Sequence, residues 1–300
     1  MNILVMGSGG VGGYFGALLA RAEHRLAIVG RGPHLESIQK EGLTVESAIE
    51  PRFTVPAHAH EVPEPGVTPD LVLFTVKSYD AAEAAKVIRP AVGPDTTVLT
   101  LLNGIDSGDL LADEFGSERI LEGVVYIESY VKAPGVIAQA GGPRRVIFGN
   151  RNGNGMREQR LLAAFEAAGW NVDLSTNILS PMWQKLTFIG PFAAFNTVTG
   201  LRADQLVSRD ECANLIHTMM SEYASVGRAE GAEMADDAAD TALERLRGFP
   251  GLTSMFRDRV ANKRLEAEAL VGEVVRRGQT HGIPPPTTDA MYALLTPMVD

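Results

Sequence analysis

Residues 3–22 read ILVMGSGGVGGYFGALLARA, a short apolar run that breaks into glycines and resumes as an apolar, helix-like segment. Ordered glycine gives up more conformational entropy than any other residue, so six glycines in ten positions, from Gly7 to Gly16, need a structural use. Gly7-Ser8-Gly9-Gly10-Val11-Gly12 matches G-x-G-x-x-G directly between a strand and a helix. In that pattern the first glycine permits a tight turn, the second lets backbone N–H groups approach a pyrophosphate, and the third lets helix and strand pack closely. A phosphate there meets the positive end of the helix dipole and its unpaired N–H donors. Gly13 and Gly16 fit as close packing of the helix on the sheet, or as room for the cofactor.

The rest of the first half keeps the same rhythm. Strand-like runs at 2–7, 25–30, 70–76 and 96–103 alternate with helical segments at 10–22, HLESIQKEG, 80–89 and SGDLLADEFG. The strands are nearly continuous apolar runs, as a parallel sheet covered on both faces requires. From 120 to 150 the pattern turns β-like with PG and GGP turns, which predicts an antiparallel extension of the sheet, and 157–169 reads as a closing amphipathic helix. Beyond 178 the signal is helical, at 178–200, 209–231, 237–247 and 258–281, followed by a last helix after GIPPP. The expected fold is therefore α/β: an N-terminal Rossmann-like doubly wound sheet with an antiparallel extension, then an all-α C-terminal domain. The expected boundaries are 1–175 for dinucleotide binding and 176–300 for a helical substrate and dimerisation domain, with a cleft between them.

Composition narrows the partners. A net charge of −10 without a Lys/Arg run argues against a nucleic-acid or membrane-surface binder. The single cysteine, Cys212, cannot make an internal disulfide and reads as a small residue packed in a helix. No apolar run reaches the ~18 residues of a membrane span, and the expectation is a cytoplasmic protein. Long apolar helical faces fit a homodimer. His58 and His60 lack companions at metal-ligand spacing and read as a surface loop, so no metal is expected. His217, Met219 and Met220 read as helix packing, and Asp236-Asp237 as a helix start.

Four polar residues stand in unusual places. After the second strand comes Gly30-Arg31, where an NAD site would carry an acid for the ribose hydroxyl. A guanidinium there suits a 2′-phosphate instead, so the cofactor is read as NADP(H). Lys77 and Asn103 each end an apolar strand at the carboxyl edge, where such folds bind ligands, although a solvated lysine and an Asn-Gly turn are the ordinary readings. Lys185 lies inside an apolar helical segment, SPMWQKLTFIGPFAAF, where lysine is seldom fully buried without a partner, a snorkelling side chain being the ordinary reading.

Together with VKSYD, LLNGID, WQKL and the stretch TSMFRDRVANKRLEAEALVGEVVRRGQTHGIPPP, these features make the chain resemble the ketopantoate reductases over nearly its whole length. Ser254 and Glu266 keep the family's twelve-residue spacing, and Gly272 and His281-Gly282-Ile283-Pro284 its closing pattern. The resemblance implies NADPH-dependent reduction of a 2-oxo acid, 2-dehydropantoate first among them. It implies Lys185 as general acid, Glu266 near it and the nicotinamide, and Ser254 on the substrate's carboxylate or hydroxyl. Asn103 would touch both cofactor and substrate, Lys77 would face the cofactor, and the backbone at Ser129 would line the nicotinamide side.

In one straight helix Ser254 and Glu266 would stand ~18 Å apart, so Ser254 is expected ahead of the helix in a turn that doubles back. Four and eight residues after the lysine, where the family carries substrate-gripping asparagines, stand Ile189 and Ala193, and Asn196 is the nearest amide. Gly190-Pro191 is expected to interrupt that helix. A dehydrogenase acting on a different 2-oxo or 3-hydroxy acid is one alternative. A non-catalytic dinucleotide sensor is another, which the presence of a proton donor disfavours.

Overall fold

The computed structural model describes residues 1–249 and 251–298. The chain forms two compact units, Met1–Leu102 with Ser107–Ile178, and Asn103–Asp106 with Leu179–Asp300. The first contains β1 (Asn2–Met6), α1 (Gly10–Arg21), β2 (Arg25–Val29), α2 (Gly32–Glu41), β3 (Leu43–Ser47), β4 (Phe53–Val55) and β5 (His58–His60). It continues with β6 (Leu71–Phe74), α3 (Ala81–Ile88), β7 (Thr97–Thr100), α4 (Ser107–Phe115), β8 (Ile120–Ala133), β9 (Val136–Gly149), α5 (Met156–Ala167) and β10 (Asn171–Leu174).

These strands make one sheet in the order β4-β3-β9-β8-β7-β6-β1-β2-β5, with β10 also on β9. The run from β8 to β5 is parallel, and β8 pairs with β9 in the antiparallel sense. Side chains alternate across a strand, and both faces are covered. Ile3 and Val5 of β1 enter a core with Phe15, Phe165 and Trp170, whereas Leu4 and Met6 enter a second core with α3 and α4. The doubly wound reading with an antiparallel extension therefore holds.

Four strands were not legible as such. The stretch between HLESIQKEG and residue 70 carries β3, β4 and β5, and β10 follows α5. His58 and His60 lie on β5, the edge strand beside β2, and not in a loop. Only Ala59 between them is buried, so three residues carry too little alternation to register as a strand.

The second unit contains α6 (Leu179–Thr199), α7 (Ala203–Val207), α8 (Asp210–Ala229), α9 (Ala238–Arg247), α10 (Ser254–Val260), α11 (Glu273–Thr280) and α12 (Pro286–Leu295). A π-type turn at Glu268–Gly272 leads into α11. Among the described residues no helix is long and apolar enough to cross a membrane. Cys212 is half-buried on α8, and His217 reaches Asp240 on α9 at 2.9 Å.

Two helix expectations need correction. α6 runs through Gly190-Pro191 without a break. A Cβ at Gly190 would fall 2.5 Å from the Tyr223 ring, and one at Gly227 would fall 3.0 Å from the Trp183 ring. α6 and α8 thus each offer a glycine to the other's aromatic ring, and that packing outweighs the missing Pro191 N–H. The segment 258–281 is not a single helix either. α10 already begins at Ser254, and the chain turns after Val260, with Asn262 at φ 50°.

Candidate active site

The glycine-rich loop is held by neighbours that dictate its composition. Gly7 has φ +96°, a left-handed conformation that favours glycine, and its N–H donates to the Val29 carbonyl at 3.2 Å. Thr75 Oγ1 donates to the Gly7 carbonyl at 2.6 Å. A Cβ on Gly12 would come within 2.1 Å of that hydroxyl and 2.4 Å of the Gly7 carbonyl. On Gly10 it would come within 2.4 Å of the Ser129 carbonyl, so Ser129 runs directly beside the loop. Its Oγ is buried with no hydrogen-bond partner among the described residues.

Among the described residues no side chain caps α1, and its first turn carries no acid. Its leading N–H groups are therefore open to an anion, with no carboxylate competing there. The donors at Ser8, Gly9, Gly10, Val11 and Gly12 thus fit the pyrophosphate of a dinucleotide. The motif predicted this cradle, but not Thr75, whose threonine hydroxyl fixes the first glycine and has no place in the pattern.

Arg31 is the N-cap residue of α2, and its side chain is 85% exposed. The sequence around it shows no acid, yet the fold brings Asp80 to 3.4 Å from the guanidinium. An ion pair this open to water is worth ~0–1 kcal/mol, so the guanidinium remains available to a phosphate. Lys77, half-buried beyond the end of β6, opens the single turn 78–80, where its carbonyl accepts from the Asp80 N–H at 2.9 Å.

The second unit carries the other predicted residues. Lys185, half-buried on α6, donates from Nζ to Asn103 Oδ1 at 2.7 Å. Asn103 begins the turn 103–106, and the next residue, Gly104, has φ +98°. There a Cβ would lie 2.9 Å from the Ala269 carbonyl, so this turn packs on the π-type segment. The Tyr223 hydroxyl steadies the same segment by donating to the Leu270 carbonyl at 2.7 Å.

Burial lowers the Lys185 ammonium from its ordinary 10.5 to about 8. The Glu266 charge opposes that change and the Arg245 guanidinium adds to it. Glu266 is 3% exposed and lies just before the helical turns that lead into α11. Lys185, Asn103 and Glu266 therefore share one environment.

Ser254 is exposed in the first turn of α10. Its neighbour Thr253 caps that helix, accepting from the Phe256 N–H at 3.2 Å. Thr253 is fixed in turn by Asn196, whose Oδ1 accepts from the threonine hydroxyl at 2.8 Å and from its N–H at 3.0 Å. Asn196 is fully buried and also donates to the Leu201 carbonyl at 2.8 Å, so the amide nearest the missing asparagines serves structure. Ile189 is half-buried and Ala193 is buried, one and two turns beyond Lys185.

Known proteins resemble the chain over nearly its whole length. The family model described as ketopantoate reductase PanE/ApbA matches residues 3–153, and the model of its C-terminal part matches residues 177–299. The 2-dehydropantoate 2-reductase of Mesorhizobium japonicum is 30% identical over 98% of this chain and 97% of its own length. That of Caulobacter vibrioides is 30% identical over 98% of each. The crystal structure of a PanE/ApbA family ketopantoate reductase from Ralstonia eutropha superimposes with a TM-score of 0.92 at 31% identity, covering 100% of this chain and 99% of that one. Such enzymes are NADP-dependent oxidoreductases. With both parts of the family's model matched along the chain, this oxidoreductase belongs to the ketopantoate reductase family.

Proposed function

We propose that this enzyme reduces a 2-oxo acid with NADPH, 2-dehydropantoate being the expected substrate, and that Lys185 donates the proton. The observation that carries the reading is the 2.7 Å bond from Lys185 Nζ to Asn103 Oδ1 by an ammonium whose burial brings it to about 8. A general acid works best when its pKa lies near the working pH, and an ordinary lysine lies too high. NADPH, when bound, supplies the hydride. Lys185 stabilises the negative charge that develops on the carbonyl oxygen and then transfers a proton to it. Asn103 orients the ammonium through its carbonyl oxygen. Glu266 keeps that ammonium charged near neutral pH. Ser254 takes the substrate's carboxylate or hydroxyl. Gly7 to Gly12, Ser129 and Lys77 hold the dinucleotide, and Arg31 its 2′-phosphate.

The apolar Ile189 and Ala193 favour a second reading of the substrate, a 2-oxo acid with a less polar tail than pantoate's. NADPH oxidation against a panel of 2-oxo acids that includes 2-dehydropantoate separates the two. In Lys185→Ala, turnover is expected to fall by about 10²–10⁴ with NADPH affinity retained. Unchanged turnover would remove the lysine from the chemistry, and a preference for NADH would contradict the role given to Arg31.

A further inference from the structure

Gly9, the residue that precedes α1, has φ −66° and ψ −168°, and a Cβ there would meet nothing within 4 Å. Packing around the Gly9 Cα therefore does not steady the Ser8–Gly9 peptide unit, although its N–H belongs to the cradle described above. Because a trans peptide is planar, with C=O and N–H pointing in opposite directions, whatever fixes the Ser8 carbonyl also aims the Gly9 N–H.

That carbonyl has one described side-chain partner. His34, in the first turn of α2, places Nε2 2.9 Å from it. The other ring nitrogen, Nδ1, accepts from the Gly135 N–H at 2.9 Å. Because a neutral imidazole carries one donor and one acceptor, the Gly135 N–H sets the tautomer. Nδ1 must be bare, so Nε2 carries the hydrogen and donates to Ser8.

One turn further along α2, Ser37 Oγ donates to the Pro134 carbonyl at 3.2 Å. Gly135 has φ +74°, and a Cβ there would lie 2.6 Å from Ser37 Oγ, so the β8–β9 turn is seated closely on α2. Burial moves His34 below its ordinary 6.5, against the opposing pull of the backbone at Ser8 and Ala133, and so keeps the ring neutral at pH 7.

We propose that His34 is a positioning residue for the dinucleotide loop. Clamped by Gly135 on one nitrogen, it uses the other to hold the Ser8 carbonyl and thereby aim the Gly9 N–H at the cofactor's phosphates. This rests on the dinucleotide reading of the loop and adds a residue that the G-x-G-x-x-G pattern does not contain.

Two amide substitutions divide the ring's functions. His34→Gln extends far enough to keep a donor near Nε2, whereas His34→Asn keeps an acceptor near Nδ1 and loses the reach to Ser8. His34→Asn is expected to weaken NADPH binding, measured by titration calorimetry, by about five- to tenfold, the worth of one hydrogen bond. His34→Gln is expected to stay within about twofold of the parent, and in kinetics His34→Asn should raise KM for NADPH with kcat little changed. Ser37→Ala, which loosens the same turn without touching Ser8, is expected to leave NADPH affinity unchanged.

Nitrogen-15 NMR of the cofactor-free protein should show the Nε2–H tautomer at His34, a readout independent of NADPH and of any variant's folding. An Nδ1–H tautomer, or equal losses of affinity in His34→Asn, His34→Gln and Ser37→Ala, would overturn the proposal. Failure of the parent protein to bind NADPH would instead overturn the dinucleotide reading beneath it.

Discussion

Glu266→Gln keeps the size of the side chain and removes a negative charge that favours the Lys185 ammonium. The drop from 10.5 to about 8 corresponds to roughly 3 kcal/mol against the charged form at ~1.36 kcal/mol per pKa unit. That is the net effect, with Glu266 already opposing it. A nearby opposite charge is worth about one to three pKa units, and the lower end would take Lys185 to about 7 in the variant. At pH 8 the protonated fraction then falls from about one half to about one tenth, and kcat/KM for the 2-oxo acid falls roughly fivefold in step. At pH 6 both proteins are protonated, so this difference vanishes.

The assay is kcat/KM between pH 6 and 10 under saturating NADPH, read as loss of its absorbance. The parent should lose activity above about pH 8, tenfold per pH unit well beyond it, and Glu266→Gln should begin to lose it at lower pH. Arg245→Ala should move the limb the other way, because the guanidinium weighs against the ammonium. The position of the limb is the readout, so a general loss of activity in either variant does not blur the result. An alkaline limb that stays in place or moves upward in Glu266→Gln would refute the reasoning.

Further outcomes follow from the same contacts. Gly12→Ala places a methyl group 2.1 Å from Thr75 Oγ1 and 2.4 Å from the Gly7 carbonyl, so NADPH binding should be lost in calorimetry. Asp80→Asn frees Arg31 from its exposed partner and should lower KM for NADPH about twofold, with KM for NADH unaffected. Tyr223→Phe leaves the buried Leu270 carbonyl without its hydroxyl donor and should cost about 1–3 kcal/mol in urea unfolding. Lys185 binds its proton less tightly when folded than unfolded, so its contribution to stability should improve as pH rises from about 8 to 10.5 and disappear in Lys185→Met.

The parts of the fold that could be read from sequence were those with continuous apolar runs or long helical periodicity. β1, β2, β6 and β7 are buried on both faces and therefore read as apolar runs. The glycine loop was legible because close backbone approach admits few residue types. β5 and β10 were not, since strands of three and four residues with alternate exposure carry little signal. The continuity of α6 through Pro191 was hidden because it depends on Tyr223 from another helix filling the space beside Gly190. Lys185, Asn103 and Glu266 were found by resemblance and position. Thr75, His34 and Asp80 were missed because each acts on a partner between 26 and 68 residues away in the chain, a distance over which local patterns say nothing.

The four residues Asn103–Asp106 follow β7 in the chain yet group with the helical unit. A chimaera joined at Ile178–Leu179 would therefore set a foreign lysine against this chain's own Asn103, and a foreign π-type turn against its Gly104. Swapping helical halves between relatives requires this short loop to travel with them, which gives the exchangeable module two separate pieces instead of one.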